Sequence, residues 1–296
     1  MIKLNNNDIA LFNNKNELRI YNLDKFNEKW KINISQNGEY INHITQLKNG
    51  DLACCGYEHI KIINLDLYNQ VTSINNIITE KNNNYLSLLE LDNNHLITTD
   101  ISKNIKLWNR NNKNIYSCLN ILNTVEINLL YNIDSHSFIG YSNSDNKIIK
   151  YIVSKNKEIL KQNEINYISI VNKSNSIIKY DKNYLLINCE ENNKFGIIIV
   201  KIDKFEILAK IAIVIPFYYI NNYEKDKLIT IDKNGLIQKW NFSKSENKLY
   251  EFDKIKIYND SFAYEKLRDF IEINEEKIVF QYKSKITLCS KIKKGS

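Results

Sequence analysis

Glycine is scarce in this chain, with seven in 296 residues. A phosphate-cradling loop needs clustered glycines for backbone to approach the anion, and no GxGxxG run occurs. The GxSxG elbow of a nucleophilic hydrolase is also missing. Four histidines, His43, His59, His95 and His136, stand apart with no HxH, HExxH or Cys-His cluster, so the sequence points to no zinc centre. His95, just after Asn93-Asn94, is expected at the surface of a hairpin exit. The five cysteines, Cys54, Cys55, Cys118, Cys189 and Cys289, form no CxxC. Their odd number and wide placement fit reduced, buried thiols rather than a disulfide framework.

Two further absences concern membranes. Met1 to Asn7 carries no apolar block of the secretory type. The most apolar run, Ile207 to Ile220, is interrupted by Lys210 and Pro216 and is too short to cross a bilayer. The expectation is a soluble intracellular protein, cytoplasmic rather than nuclear and without membrane insertion. No catalytic residue, metal or cofactor is expected. The paired carboxylates Glu190-Glu191 and Glu275-Glu276 have no visible convergent partner, and Glu190-Glu191 beside Asn192-Asn193 reads as a hairpin tip.

What is present is a globular level of apolar residues, 43%, and a formal charge of +7 from 41 basic and 34 acidic side chains. That charge permits an acidic partner without requiring one. Lysine greatly outnumbers arginine, and lysine is the weaker choice for fixed bidentate contacts to phosphate or bases. The asparagine tracts are short and lie between apolar strands, so they read as turns.

The strongest signal is a repeated phrase. Leu96 to Trp108 returns as Leu228 to Trp240, each reading as strand, tight turn, and strand ending in Trp. Weaker copies fill the chain. Their third strands close at Tyr21, Ile63, Trp108, Tyr151, Val200, Trp240 and Cys289, with gaps of 42, 45, 43, 49, 40 and 49 residues. Such periods are those of four-stranded propeller blades, roughly 40–45 residues each. The reading is an all-β fold: one seven-bladed β-propeller over residues 1–296, with blades near 1–34, 40–75, 84–122, 127–163, 176–213, 218–253 and 269–292. Asn49-Gly50 is expected to make a two-residue hairpin loop. The longer connections fall at Asn163 to Asn175 and Asp253 to Arg268, with a helical turn or two expected over Ser261 to Phe270. The last blade lacks room for an outer strand after Lys285 to Ser290, which implies a three-stranded blade, a strand supplied by a partner, or a further C-terminal segment.

The phrase ending in Trp108 resembles the WD40 repeat, in which an aliphatic pair precedes Trp-Asp. Asn109 and Asn241 stand where that family prefers Asp, and Ile20-Tyr21-Asn22 and Ile62-Ile63-Asn64 are looser copies. No Gly-His occurs, Tyr40 falls near the family's His position, and Ser102 and Asn234 occupy its turn-Asp position, so the family's buried polar network is expected to be largely missing. Asp100 and Asp232, two residues earlier, are expected to cap the turns locally. The resemblance implies a non-catalytic protein-interaction scaffold, a subunit of a larger assembly whose partners are other proteins. Alternatives are a basic propeller contacting RNA or a ribonucleoprotein, and a phosphoinositide-binding propeller. The last lacks its paired arginines, since the comparable stretch reads Asn193-Lys194-Phe195-Gly196. Candidate partner contacts are Phe217, Tyr218 and Tyr219 after Pro216, and Tyr264, Lys266 and Arg268 in the long connection. Nothing in the sequence indicates a homo-oligomer.

Overall fold

The computed structural model of the chain describes all residues except 1, 5–7, 13–16, 23–24, 26, 35–39, 67–69, 93, 112–114, 167–168, 171–176, 192–193, 214–216, 225–226, 233–235, 247, 257–266, 275–276, 283–284 and 291–296. Within strands, side chains are described except at 76, 79, 169–170, 191, 194, 213, 217–224, 232, 252–256 and from 267 onward.

Among the described residues the regular elements are strands. The first sheet holds β1 (Ile2–Lys3), β2 (Asp8–Phe12), β3 (Glu17–Asn22) and β4 (Asn27–Asn33) in chain order. The second is six-stranded, again in chain order: β5 (Ile41–Gln46), β6 (Leu52–Leu65), β7 (Val71–Asp92), β8 (His95–Asp100), β9 (Asn104–Arg110) and β10 (Tyr116–Asn123). A third holds β11 (Leu129–Asn132), β12 (Ser137–Ser142), β13 (Lys147–Val153) and β14 (Ile159–Asn166). In the fourth, β15 (Ser169–Ile170) and β16 (Ile177–Lys179) both pair with β17 (Tyr184–Glu191), followed by β18 (Lys194–Lys201) and β19 (Glu206–Ile213). The fifth holds β20 (Phe217–Glu224), β21 (Lys227–Asp232), β22 (Leu236–Ser243) and β23 (Lys248–Lys256), and the sixth β24 (Leu267–Asn274), β25 (Lys277–Tyr282) and β26 (Lys285–Ser290). Residues 267–270, expected to be helical, therefore open a strand. The last sheet has three strands among the described residues.

The six-stranded sheet contains a fold-back. Asp51 accepts from the Leu65 amide at 2.9 Å and from Asn64 Nδ2 at 2.8 Å. A straight strand of this length would hold those ends about 40 Å apart. The chain therefore reverses inside β6, at Glu58, whose φ is +61°. β7 divides too: Val71 to Thr79 pairs with β6 and Tyr85 to Asp92 with β8, with Asn82 at φ +60° between them.

One offset recurs in the ladders. The pairing of third with outer strand slips by one residue between Ile20 and Tyr21, Leu107 and Trp108, Ile199 and Val200, and Lys239 and Trp240. Each slip bulges the outer strand just before the residue that closes the third strand, adding local twist. A side-chain bond recurs as well. Trp108 Nε1 donates to Thr98 Oγ1 at 2.8 Å, and Trp240 Nε1 to Thr230 Oγ1 at 2.8 Å. The polar network expected to be missing thus keeps its Trp–Thr bond in both copies.

Contacts divide the chain into two compact units, one of residues 1–142, 151–162 and 270–296, the other of 143–150 and 163–269. In the first unit, β6 is buried on both faces. Leu52, Cys54 and Ile63 pack with Leu4, Ala10, Leu18 and Ile20 of the first sheet. The alternate residues Ala53, Cys55, Ile60 and Ile62 pack with Tyr85, Leu88, Leu96 and Trp108. In the second unit, Leu186, Ile197 and Ile199 pack with Leu228 and Phe242, and Tyr180 and Tyr184 set their rings edge-on to Phe242. Each fully buried aliphatic or aromatic side chain contributes roughly 1.5–3 kcal/mol, so these faces outweigh the turns in energy.

With few glycines, the left-handed turn positions fall to other residues: Glu58, Asn82, Lys103, Asn146, Lys157 and Phe205 all have positive φ. Gly50, at φ +96°, is the exception. Its amide donates to Leu47 O and the Leu47 amide to Asp51 O, so Lys48 to Gly50 form a three-residue loop with a glycine bulge rather than the expected two-residue turn.

Trp108→Ala is expected to cost roughly 3–5 kcal/mol in chemical denaturation, because it removes a buried ring and leaves Thr98 without its donor. A loss under about 1 kcal/mol would show the indole to be dispensable to the core. Lys103 uses only backbone atoms in its turn bonds, to Asp100 O and from the Thr124 amide. Lys103→Gly should therefore relieve backbone strain and raise stability by about 0.5–1 kcal/mol. A lowered midpoint would contradict that.

Candidate interaction rim

One margin of the first unit gathers exposed aromatic and aliphatic groups. It begins where β5 enters its sheet. A Cβ on Gly56 would overlap the Tyr40 carbonyl oxygen, so the bare glycine permits the close approach. The Tyr57 amide donates to Tyr40 O at 3.1 Å. The two tyrosine rings then stack, with centroids 5.9 Å apart and planes at 30°, while remaining 48% and 37% exposed. A shallow cleft lies beside them, lined in part by Gly56, His59 and Lys61.

Hydrogen bonds continue this margin along the chain. Glu58 Oε1 accepts from the Asn82 amide at 2.9 Å, so the two positive-φ turns brace each other. Asn42 Nδ2 lies 2.7 Å from both Asn84 Oδ1 and Tyr85 O. The Ile101 amide donates to Asn84 O, and the Thr124 amide to Lys103 O. Tyr40, Tyr57, Ile101 and the exposed Lys81 and Lys103 thus stand on one bonded rim.

Beneath the rim lies an ionic cluster in which Lys106 and Asp100 are buried and Glu80 is half-buried. Lys106 Nζ donates to Glu80 Oε2 and, at 3.2 Å, contacts Asp100 Oδ2. Asn83 Nδ2 donates to Glu80 and to Asp100 at 2.7 and 3.2 Å. Asp100 Oδ1 also accepts from the Asn104 amide at 3.1 Å, across the β8–β9 turn. The Lys106 ammonium lies 5.6 Å from the centre of the Tyr85 ring. Burial alone would raise the Glu80 carboxyl, but the bonds from Lys106 and Asn83 outweigh it and hold the group below its ordinary value. Burial would lower Lys106, and its bonds to Glu80 and Asp100 reverse that. Burial, then Glu80, pushes Tyr85 up. The cluster anchors residues 80–85 at the root of the rim.

A lysine clamp repeats. Lys61 holds the same place in its strand as Lys106, two residues before the closing residue, and donates to Ile34 O, just past β4, at 2.9 Å. In the second unit, Lys150 donates to Ile202 O at 3.0 Å.

The residues closing the third strands lie on β3, β6, β9, β13, β18, β22 and β26. Ile63, Trp108, Tyr151 and Val200 are buried, Tyr21 and Trp240 are half-buried, and the Cys289 side chain is outside the described residues. Phe217, Tyr218 and Tyr219 open β20, with their side chains and that of Asp232 outside the described set. Tyr264 and Lys266 lie outside the described residues, as does the Arg268 side chain. His95 is not at the surface. It is buried, and its Nδ1 lies 2.8 Å from the Asp92 carboxylate, which folds the hairpin exit inward. Tyr57 and Ile101 were missed by sequence reasoning. The available signal was Gly56 inside an otherwise side-chain-rich strand, which marks a close backbone approach.

Because Glu80 is held below its ordinary value, the stabilisation it gives is present above roughly pH 4.5 and is lost as pH falls through the folded-state value. Denaturation at about pH 7 and pH 4 should show the wild type losing stability with acid. Glu80→Gln should flatten that slope while lowering the neutral-pH value. An unchanged slope would mean that Glu80 is not ionically coupled in the fold.

No family model matches the chain, and no curated protein matches it. Solved structures do. The structure of U3-55K matches with a TM-score of 0.64 at 12% identity, over 95% of this chain and 86% of that one. A chain of the mitotic checkpoint complex matches with a TM-score of 0.69 at 10% identity, over 96% and 86%. Both are WD40 propeller proteins. At such identity the likeness speaks for the fold, and together with the sheets, the recurring bulge and the Trp–Thr bonds it shows that the chain folds as a β-propeller of the WD40 type.

Proposed function

We propose that this chain is a non-catalytic platform, a seven-bladed propeller that holds another protein on the Tyr40–Tyr57–Ile101 rim as part of a larger assembly. The stacked, half-exposed Tyr40–Tyr57 pair carries this reading. Tyrosines with an apolar body and a polar tip are efficient interface anchors, with little side-chain entropy to lose. The rim around them is braced by backbone hydrogen bonds and rooted in a largely buried ionic cluster, so a partner meets a surface already in its binding shape. The compared structures support the reading by their fold, and one of them is titled as a complex. No group of three or more His, Cys, Asp or Glu able to hold a metal occurs among the described residues.

The test is capture from native extract with immobilised chain, wild type against the Tyr40→Ser/Tyr57→Ser double variant, with partners identified by mass spectrometry. Proteins held by the wild type should fall at least tenfold on the variant, which should stay folded because both rings are substantially exposed. The same partners should persist after ribonuclease treatment. An unchanged partner set would overturn the assignment of this rim, and partners released by ribonuclease would favour RNA as the ligand.

A further inference from the structure

An Asn-Gly pair is especially open to succinimide chemistry, because glycine sets no side chain in the way of its own backbone nitrogen. The chain has three such pairs, Asn37-Gly38, Asn49-Gly50 and Asn234-Gly235. The first and last lie outside the described residues. Asn49-Gly50 sits in the three-residue loop between β5 and β6, where the groups that would react are all held.

The reaction begins when the Gly50 nitrogen gives up its proton and attacks Cγ of Asn49. In the fold that N–H donates to Leu47 O at 2.9 Å. The side-chain amide is fixed at both ends by Asp51. Its Oδ1 accepts from the Asp51 amide at 3.1 Å, and its Nδ2 donates to Asp51 Oδ2 at 2.8 Å. The loop is also stapled from outside. The Lys48 amide donates to Glu90 Oε2 at 2.6 Å and Lys48 Nζ to Leu91 O at 3.2 Å, both on β7. Gln46 Nε2 donates to Gly50 O at 2.9 Å. The turn keeps its vulnerable pair, since a φ of +96° at position 50 suits glycine and position 49 uses a side chain that both accepts and donates.

We propose that Asn49 is a deamidation site gated by the fold, closed while the loop is stapled and, once the loop opens, converted irreversibly to a product that unlatches Asp51 from the end of β6. The Gly50 nitrogen bonds to Asn49 Cγ, the Cγ–Nδ2 bond breaks, and ammonia leaves with the proton from the Gly50 amide. Water then opens the five-membered imide. Attack at Cγ leaves aspartate. Attack at the main-chain carbonyl leaves isoaspartate, with the backbone routed through Cγ and one atom longer. Neither product fits the closed loop. Aspartate sets a carboxylate where Nδ2 now donates to Asp51, and like charges about 3 Å apart repel strongly. Isoaspartate lengthens a loop whose ends are tied by the Leu47 amide to Asp51 O. Asp51 is the group at stake, because its carboxylate also holds the Leu65 amide and Asn64 Nδ2. Asn64 Oδ1 in turn accepts from Ser73 Oγ and Asn75 Nδ2 of β7, so loss of the latch loosens that outer pairing.

The test incubates the full chain at mildly alkaline pH in heavy-oxygen water, folded or in guanidinium chloride, and follows Asn49 by peptide mass spectrometry. Conversion should be at least about tenfold slower in the folded chain. Glu90→Ala should speed the folded chain at least about threefold and leave the denatured rate unchanged. Gln46→Met, which removes the bond to Gly50 O, should act in the same direction and serves where Glu90→Ala does not fold. In chemical denaturation Asn49→Asp should lower the midpoint, whereas Asn49→Ser, whose hydroxyl still accepts and donates, should stay closer to wild type. Equal rates in folded and denatured chain would overturn the gate, as would a folded rate that neither loosening variant raises. A denatured chain that does not convert at Asn49 would overturn the site itself, and a midpoint unmoved by Asn49→Asp the unlatching.

Discussion

Strands buried on both faces set the terms for this protein. A four-stranded sheet with apolar groups above and below is not stable in water by itself, and here β6 divides its side chains evenly. Leu52, Cys54 and Ile63 go to one neighbour, and Ala53, Cys55, Ile60 and Ile62 to the other. The sheet that holds β6 thus supplies part of two cores and completes neither alone. Period-two alternation therefore carries no polar face along much of the chain, and polar groups collect at turns and margins.

The buried polar groups follow from this. Lys106 and Asp100 would be costly between sheets without partners, yet they are satisfied by each other, by the half-buried Glu80, by Asn83 or by a backbone amide. An apolar replacement of matched volume could be as stable, so the specific return of the cluster is positional. It fixes the crossing from one outer strand to the next inner strand, and with it the turns that bear Tyr57 and Ile101. The Lys61 bond to Ile34 O does the same at the preceding crossing with a single hydrogen bond. The stack of Tyr40 on Tyr57 is the exposed end of that order, while Gly56 sets how closely the backbones meet.

Much of the fold was legible in the chain because the strongest copies are long and alike. Leu96 to Trp108 and Leu228 to Trp240 each carry a Thr ten residues before the Trp, and both pairs are bonded. The resemblance to WD40 repeats led correctly to the fold class but understated what survives of its polar network, because the Thr was not weighed apart from the missing Gly-His. His95 was misread because asparagines before a strand suggest exposure, whereas the half-exposed Asp92, three residues away, supplies its ring with a partner. Asn49-Gly50 was misread because the dipeptide reports a turn without its length, and the Leu47–Asp51 bond lengthens the loop by one residue. The rim was the least visible part, since Tyr40 and Tyr57 are brought together by a backbone approach rather than by any spacing.

The ladder slip beside each closing residue has a consequence for divergence. Tyr21, Trp108, Val200 and Trp240 share no chemistry beyond being apolar in body, yet the same offset follows all four. What the copies inherit is a pattern of amide-to-carbonyl matching, and side-chain identity is free to drift around it. Such matching does not depend on any one side chain, so a chain can align with other propellers in space while sharing little of their spelling.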